Sequence, residues 1–477
     1  MSTTIHLTDN HSSGAVVPKE CVADVLQIAR LGQLQDHPNL LVFPDSFTRV
    51  KDKIGEFSIL TTKEVQVSSN EITSLKVCTG NLMGFVGINN TSVSIHSRFT
   101  HKKQDGVVDA SSPDYFLYYM LQKVFAVNVF DLDHSTNQDD SILDFLLFLF
   151  PYMLKQALSQ GLYKEYRNNQ YDDARVRGVI DVNRFIRNDI PFKGKISYHC
   201  REHSYDNHIT QLVRHTIEYI RRHPIARSVL SNDRETMDAV AQIVAATPSY
   251  SQRERNNVLN ANRRPVVHPY FLKYRGLQQL CVHILRHDAL KYGQQDDAVH
   301  GVLFDGAWLW EEYMNIILHS NGFTHAENKN GVGGVHMFAY HADEEYFTKN
   351  GRRMYPDFYR EDCILDAKYK HLNGDVGRED LYQVISYMYC MDCPHGGYLY
   401  PDDSAQQWVS YKLNGKGSLY EPCDSGGILH VIPFQIPQNA TSWQDFRKEI
   451  KSSEEKLKQW IIAPIRPAAA NCGDPIK

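Results

Sequence analysis

The segment YPDFYREDCILDAKYK, residues 355–370, constrains the fold more than any other part of the sequence. It predicts two short strands joined by a tight turn around residues 360–362. Because strand side chains alternate in direction, Asp366 and Lys368 point to one face, and their neighbours point into an apolar layer. The turn then brings Asp357, which eight residues separate from Asp366, beside this pair.

Two carboxylates and one amine in this arrangement match the needs of phosphodiester hydrolysis. Carboxylates are hard oxygen ligands that suit Mg²⁺. The metal would lower the pKa of its bound water and stabilise charge in the transition state, while Lys368 would orient or activate the nucleophile. The spacing alone leaves a second interpretation open, in which the residues form a surface salt bridge on a β-hairpin.

The elements around this segment predict a mixed α/β sheet, because helices and strands alternate from about residue 296 onwards. Gly322 is expected to end the first helix, as glycine often does at a helix C-terminus. In order, the expected elements are a helix at 308–322, strands at 353–360 and 363–372, a helix at 379–391, a strand at 396–401 and an amphipathic helix at about 443–461.

The whole chain predicts an α+β multidomain protein, because its 477 residues exceed one compact domain. Residues 1–135 are expected to form a β-rich N-terminal domain with a flexible N-terminal arm, since 40–100 alternates apolar and polar residues. Residues 136–295 show helical spacing and predict a mainly helical middle region. Residues 296–477 hold the mixed sheet and the final helix.

Composition limits the possible functions. The formal net charge of −5 gives the chain no general affinity for nucleic acid, so any DNA contact has to be local. The strongest apolar run, residues 142–154, is shorter than the roughly 20 residues that a membrane span needs, and it predicts a buried helix. The nine scattered cysteines fit a reducing compartment, so we expect a cytoplasmic protein without membrane contact.

Several stretches resemble a known family. RVRGVIDVNRFIRN resembles its RG-x-I-D segment, REHSYDNHITQLVRHTIEYI its acidic-then-Asn helix start, LWEEYMNIIL its L-F-E-x-Y helix, and ILDAKYK with EDLYQVISY its catalytic core. Through them the C-terminal part resembles the PD-(D/E)XK nuclease fold. The whole chain resembles the McrC family of nuclease subunits in McrBC-type restriction systems, over about residues 140–402 and more loosely in the β-rich N-terminal part.

The resemblance implies roles for particular residues. Asp357 and Asp366 would bind one or two Mg²⁺ ions, and Lys368 would be the catalytic lysine. Glu311 would be an auxiliary acidic residue and metal ligand, with Glu312 as an equally placed rival. Gln383 would position DNA or water, and Tyr387, four residues further on, would either join it or only pack.

The resemblance also implies partners. An McrC-like nuclease subunit cuts double-stranded DNA together with a separate McrB-like AAA+ GTPase, which the N-terminal and middle regions would contact. This chain shows no Walker A motif of its own. Two alternatives stay open, namely a stand-alone repair or restriction nuclease and a scaffold subunit that mainly activates the motor. Because the sequence after Pro401 shows no resemblance, substrate choice could differ from methylcytosine dependence.

Two other groups of residues are candidate metal sites. Cys390 and Cys393 form a C-x-x-C, but a zinc site needs a second pair, and two reduced cysteines at a helix end are the favoured interpretation. A histidine-rich stretch is interpreted as a polar loop that caps the following helix, with a metal site as the alternative. It contains His199, His203, Asp206 and His208.

Overall fold

The chain forms two compact units in the computed structural model. Unit 1 comprises Met1–Ala126 and Val299–Lys477, and unit 2 comprises Val127–Ala298. The three-part division expected from the sequence stays a prediction, and its first and third parts contribute to the same unit. The structure describes residues 3–29, 40–44, 59–68, 71–89, 91–100, 114–125, 138–223, 226–231, 233–290, 300–326, 331–337, 353–372, 376–414 and 426–462.

Both units contain strands and helices. The strands are β1 Thr3–Thr8, β2 Ala15–Val16, β3 Leu40–Phe43, β4 Leu60–Ser68, β5 Glu71–Thr79, β6 Leu82–Ile88, β7 Thr91–His96, β8 Glu165–Asp173, β9 Val179–Ile180, β10 Ile196–Ser204, β11 His300–Asp305, β12 Thr324–His325, β13 Val335–His336, β14 Arg353–Met354, β15 Phe358–Tyr359, β16 Cys363–Ala367, β17 His395–Asp402, β18 Val409–Lys412 and β19 Ile428–Gln435. The helices are α1 Val22–Ala29, α2 Tyr115–Val124, α3 Gln138–Leu158, α4 Val182–Asn188, α5 His208–Arg222, α6 Arg234–Ala246, α7 Arg255–Ala261, α8 Lys273–Leu290, α9 Gly306–His319, α10 Arg378–Cys390 and α11 Trp443–Ile462.

A five-stranded sheet in the order β1-β7-β6-β11-β3 joins the two ends of the chain within unit 1. Strand β11 is antiparallel to β6 and parallel to β3. β11 therefore joins the predicted segment 296–477 to strands of the N-terminal segment. Pairing partners so distant along the chain leave no local signal, so this pairing could not be predicted from the sequence alone.

The N-terminal residues are ordered as a strand. β1 pairs in parallel with β7, and Ile5 and Leu7 are buried in the core beneath the sheet. The expected flexible arm is therefore wrong for residues 3–8. Two apolar residues in a polar stretch are a weak strand signal, and the burial that stabilises the strand comes from a segment some ninety residues away.

Unit 1 also contains a six-stranded mixed sheet, with the strands in the order β12-β15-β16-β17-β19-β18. β16, β17 and β19 are parallel, and the strands at both edges are antiparallel. Helix α10 connects β16 to β17 and buries Val384 and Met388 against the sheet. The predicted mixed sheet and its connecting helix are confirmed.

Helix α9 ends where the sequence predicted. The backbone N–H of Gly322 donates to the carbonyl of His319, and Phe323 donates to Leu318. This pair of bonds needs a left-handed residue, and Gly322 has a φ of 84°. The helix therefore stops at a glycine because other residues would adopt this conformation only with strain.

Unit 2 combines helices with a small sheet in the order β8-β10-β9. Helix α3 contains the apolar run that the sequence assigned to a buried helix, its residues 146–150, 153 and 154 are buried, and it continues through Pro151. Helix α5 begins at a capping box formed by Asn207 and Thr210, as the capping interpretation expected. None of the described helices is both long and apolar enough to cross a membrane.

Candidate active site

A β-hairpin sets the geometry of the site. Arg360 and Cys363 exchange backbone hydrogen bonds across the turn, and Phe358 lies opposite Leu365 in the antiparallel pairing of β15 with β16. One further step in the same register places Asp357 opposite Asp366. The tight turn predicted at residues 360–362 is thus present, and it brings the two carboxylates together.

Asp366 and Lys368 lie on the same face, as strand alternation predicted. Asp366 is only 1% exposed, and the Nζ of Lys368 lies 2.7 Å from its Oδ2. This short contact places the positive charge of Lys368 directly on the buried carboxylate. A buried carboxylate oxygen of this kind is suited to a cation with oxygen ligands.

Asp357 is held by the neighbouring strand. Its Oδ2 accepts a hydrogen bond of 2.8 Å from the backbone N–H of Ala367. Burial, followed by the negative charges of Asp366 and Glu311, raises the pKa of Asp357 well above its usual value. Burial also raises the pKa of Asp366. Two neighbouring carboxylates that resist ionisation together would be stabilised as anions by a bound cation.

Lys368 lies between two acidic residues. In addition to its contact with Asp366, its Nζ is 3.3 Å from Oδ1 of Asp380. Burial acts to lower the pKa of Lys368, but attraction to Asp366 and Asp380 outweighs burial and raises it. The side chain is therefore an ammonium at neutral pH, which suits charge stabilisation better than proton abstraction.

Asp380 and Lys370 are two further charged residues of the site that the sequence did not predict. Asp380 lies in the first turn of α10, and its Oδ2 is 2.5 Å from the Nζ of Lys370. A signal was present, because Asp380 is three residues before Gln383 and therefore on the same helix face. The connection to Lys368 could not be derived, since it depends on how α10 packs on the sheet.

Gln383 and Tyr387 lie on the helix face that the sequence predicted. The side-chain amide of Gln383 donates a 3.0 Å hydrogen bond to the hydroxyl of Tyr387. Burial raises the pKa of Tyr387, the bond from Gln383 lowers it, and the charges of Asp366 and Asp357 raise it further. The Tyr387 hydroxyl is thus close enough to the carboxylate pair to be influenced by it, and Gln383 contacts this hydroxyl.

Glu311 is connected to the site through His325, which the sequence did not predict as a site residue. Its Oε1 lies 3.6 Å from Nε2 of His325, whose Nδ1 is 2.8 Å from the backbone carbonyl of Asp357. The His325 ring also stacks on Phe358. A histidine in a short edge strand gives no sequence signal, because only the pairing of β12 with β15 brings it beside Asp357.

Tyr369, the residue after Lys368, contacts residues of the N-terminal part of unit 1. Its hydroxyl lies 2.8 Å from the Ser97 hydroxyl, and the Arg98 guanidinium covers its ring at 4.8 Å. Gly306 allows this close approach, because a Cβ there would meet the Tyr369 ring at 2.7 Å. The N-terminal sheet region thereby supports the backbone beside Lys368.

The carboxylate pair fits the requirements of Mg²⁺. This ion is usually held by one or two carboxylates, and it keeps several waters or takes phosphate oxygens as its other ligands. Among the described residues, no group of three or more His, Cys, Asp or Glu side chains is arranged to hold a metal ion. Asp357 and Asp366 would supply carboxylate ligands, with further positions open to water and substrate.

The other candidate metal sites have ordinary structural surroundings. Cys390 is exposed at the end of α10 and Cys393 is buried, and both are free thiols. His199 and His203 belong to strand β10, which corrects the interpretation of this stretch as a loop. His208 begins α5, and its Nδ1 is 3.0 Å from the Glu165 carboxylate.

Fold and site together define an α+β protein with a carboxylate–lysine centre on a mixed sheet. The model of the family described as McrBC 5-methylcytosine restriction system component matches residues 77–401. This match covers more than half of the chain, and the chain belongs to that family. The resemblance drawn from the sequence is therefore confirmed at the level of the family.

Two solved structures from Thermococcus gammatolerans are similar to this chain at 16% identity. One is a refined half-complex from a tetradecameric assembly of McrB AAA+ hexamers with bound McrC; the match covers 94% of this chain and 100% of that one, with a TM-score of 0.42. The other is a cryo-EM structure of the McrBC complex, with 67% and 88% covered and a TM-score of 0.31. A comparison with curated proteins finds no match.

Proposed function

We propose that this chain is the DNA endonuclease subunit of a modification-dependent restriction system, with a PD-(D/E)XK active centre. The observation that carries the proposal is the hydrogen bond that holds the Asp357 carboxylate on the backbone N–H of Ala367, next to Asp366, with the Lys368 amine 2.7 Å from the Asp366 carboxylate. Membership of the McrBC family supports a role in restriction. The partner would be a separate McrB-like AAA+ GTPase, and the substrate double-stranded DNA.

The residues divide the chemistry among them. Asp357 and Asp366 would hold Mg²⁺, which supplies an acidified water and neutralises charge on the phosphate. The Lys368 ammonium would stabilise the developing negative charge and orient the attacking water. Glu311 would act beside Asp357, and Gln383 with Tyr387 would position water or DNA from α10.

The first experiment measures cleavage of methylated and unmethylated plasmid DNA with Mg²⁺. The purified chain is tested alone and together with an McrB-like GTPase and GTP. We expect cleavage only with the partner and GTP. Lys368→Ala or Asp366→Ala should reduce the rate about a thousandfold, because metal and lysine together supply several kcal/mol of transition-state stabilisation.

Asp362→Ala is the matched control for Asp366→Ala. Asp362 lies on the same hairpin, and it is exposed and paired with Arg360 away from the carboxylate pair. Its loss should leave cleavage unchanged. Cleavage that survives Asp366→Ala would overturn the proposed site, and cleavage by the chain alone would indicate a stand-alone nuclease and overturn the dependence on a partner.

A further inference from the structure

Asp380 connects two lysines at the candidate active site. Its two carboxylate oxygens lie 3.3 Å from the amine of Lys368 and 2.5 Å from that of Lys370. Both lysines follow Asp366 on the same face of the extended chain, because side chains alternate there. A single carboxylate on α10 thus contacts both cations of the segment that leaves β16.

Asp380 is held in place from its backbone. The hydroxyl of Tyr398 donates a 2.6 Å hydrogen bond to the Asp380 carbonyl, and Tyr398 is fully buried in β17. Tyr398 is also the partner of Asp366 in the parallel pairing of β16 with β17. This hydrogen bond holds the start of α10 against β17, the strand that pairs with β16 at Asp366. The Asp380 carboxylate therefore has a fixed position beside Lys368.

The amine of Lys368 would compete with a metal ion for the Asp366 carboxylate. It lies 2.7 Å from Oδ2 of that carboxylate. A divalent cation bound there would repel the ammonium, since like charges a few ångströms apart repel strongly in a partly buried site. Lys368 then needs another anionic partner within reach, and Asp380 is already 3.3 Å away.

We propose that Asp380 is a positioning residue, which retains the Lys368 ammonium when a divalent cation occupies the Asp357–Asp366 pair. The inference rests on the proposed function and assigns a role to a residue outside the carboxylate–lysine set. Lys368 would move from Asp366 towards Asp380, which leaves Asp366 free for the metal and keeps the ammonium at the site. Without Asp380, the ammonium would compete with the metal for Asp366.

The test measures the Mg²⁺ affinity of the full-length chain by titration calorimetry, without DNA. Asp380→Asn keeps the shape of the side chain but removes its charge. We expect the Kd for Mg²⁺ to rise about tenfold, the factor that corresponds to the loss of one charge-assisted contact. Asp380→Glu should restore most of the affinity, because it returns the carboxylate.

Glu379→Gln is the matched control. Glu379 is the neighbouring acid in the first turn of α10, and it is exposed. Its removal takes the same charge from the same helix end. We expect its Kd for Mg²⁺ to stay within about twofold of the unchanged chain, because exposed charges are screened by solvent. Equal effects of Glu379→Gln and Asp380→Asn would overturn the proposal.

A double-mutant cycle tests whether the effect passes through Lys368. Asp380→Asn is compared with and without Lys368→Met, which removes the competing ammonium. We expect Asp380→Asn to have little effect on the Mg²⁺ affinity in the Lys368→Met background. A tenfold loss in both backgrounds would show that Asp380 acts on the metal directly, and the positioning role would be abandoned.

The outcome for Asp366 separates this inference from the proposed function. If Asp366→Ala leaves both Mg²⁺ binding and cleavage intact, the proposed active centre fails and the role of Asp380 fails with it. If Asp366→Ala abolishes both while Asp380→Asn behaves like Glu379→Gln, only the role of Asp380 fails. Thermal unfolding of each variant, followed by circular dichroism, establishes that the fold is retained.

Discussion

At the scale of single residues, the buried ring of His430 shows how its surroundings change the pKa of a side chain. His430 in β19 is buried, with its Nδ1 2.8 Å from the Ser410 hydroxyl and its Nε2 3.1 Å from Nδ1 of His395. Burial first, and then the nearby His395, lowers the pKa of His430 from 6.5 to about 4. The folded protein therefore holds this ring neutral at pH values at which the unfolded chain binds a proton.

This difference predicts a loss of stability on acidification. Below pH 6.5 the unfolded chain takes up a proton at His430, whereas the folded protein does not until about pH 4. The contribution is complete above pH 6.5 and decreases as the pH falls towards 4. We expect His430→Gln to reduce the loss of unfolding free energy between pH 7 and pH 5 by about 2 kcal/mol.

Urea denaturation at the two pH values measures this effect. His319→Gln is the control, because His319 is exposed at the end of α9. The control should lose as much stability between pH 7 and pH 5 as the unchanged chain does. Indistinguishable losses for His430→Gln and the unchanged chain would contradict the prediction.

At the scale of elements, one buried carboxylate joins three helices of unit 1. Glu454 of α11 accepts hydrogen bonds of 2.9 Å from the hydroxyls of Tyr119 in α2 and Tyr313 in α9. Lys123 of α2 forms an ion pair with it at 3.1 Å. The sequence predicted α11 as an amphipathic helix dense in charge, but could not show which of its acids is buried.

Glu454→Ala should destabilise unit 1 by about 3–5 kcal/mol, because it leaves two tyrosine hydroxyls and a lysine without their partner. Urea unfolding followed by tryptophan fluorescence measures the change. Trp443 lies in the same helix and stacks on Phe446. The signal therefore reports on the packing of α11.

Glu455→Ala provides the comparison for this prediction. Glu455 is the next residue, 61% exposed, and pairs only at the surface with Lys458. Its removal should cost less than about 1 kcal/mol, as is usual for exposed ion pairs. If the two alanine variants unfolded at the same urea concentration, the structural role of Glu454 would be refuted.

At the scale of the whole molecule, the chain leaves unit 1 and returns to it through β11. The returning strand buries Val302, Leu303 and Phe304 between β6 and β3. Unit 1 therefore needs both ends of the chain, whereas unit 2 is made from one continuous segment. This difference decides which fragments can fold.

A fragment of residues 127–298 should fold by itself, whereas a fragment of residues 296–477 should not. The second fragment keeps β11 but loses both of its partner strands, which exposes its apolar side chains to water. Circular dichroism and cooperative thermal unfolding measure the outcome. A cooperative transition in the fragment 296–477 would show that its sheet is stable without the N-terminal sheet.

The sequence predicted well whatever depends on neighbours along the chain. Asp366 and Lys368 point to the same face because side chains alternate along a strand. Asp357 lies beside them because the turn between the two strands is only a few residues long. Gly322 ends α9 because of its own backbone freedom. The family also follows from sequence, since its stretches are read from consecutive residues.

Only the tertiary structure decided which distant residues meet. It placed β11 in the N-terminal sheet, His325 beside Asp357, and Asp380 beside Lys368. Each contact joins residues whose separation leaves no periodic or local signal. Local geometry fixes the orientation of side chains within an element, whereas the burial of apolar surface between elements determines which of those side chains become neighbours.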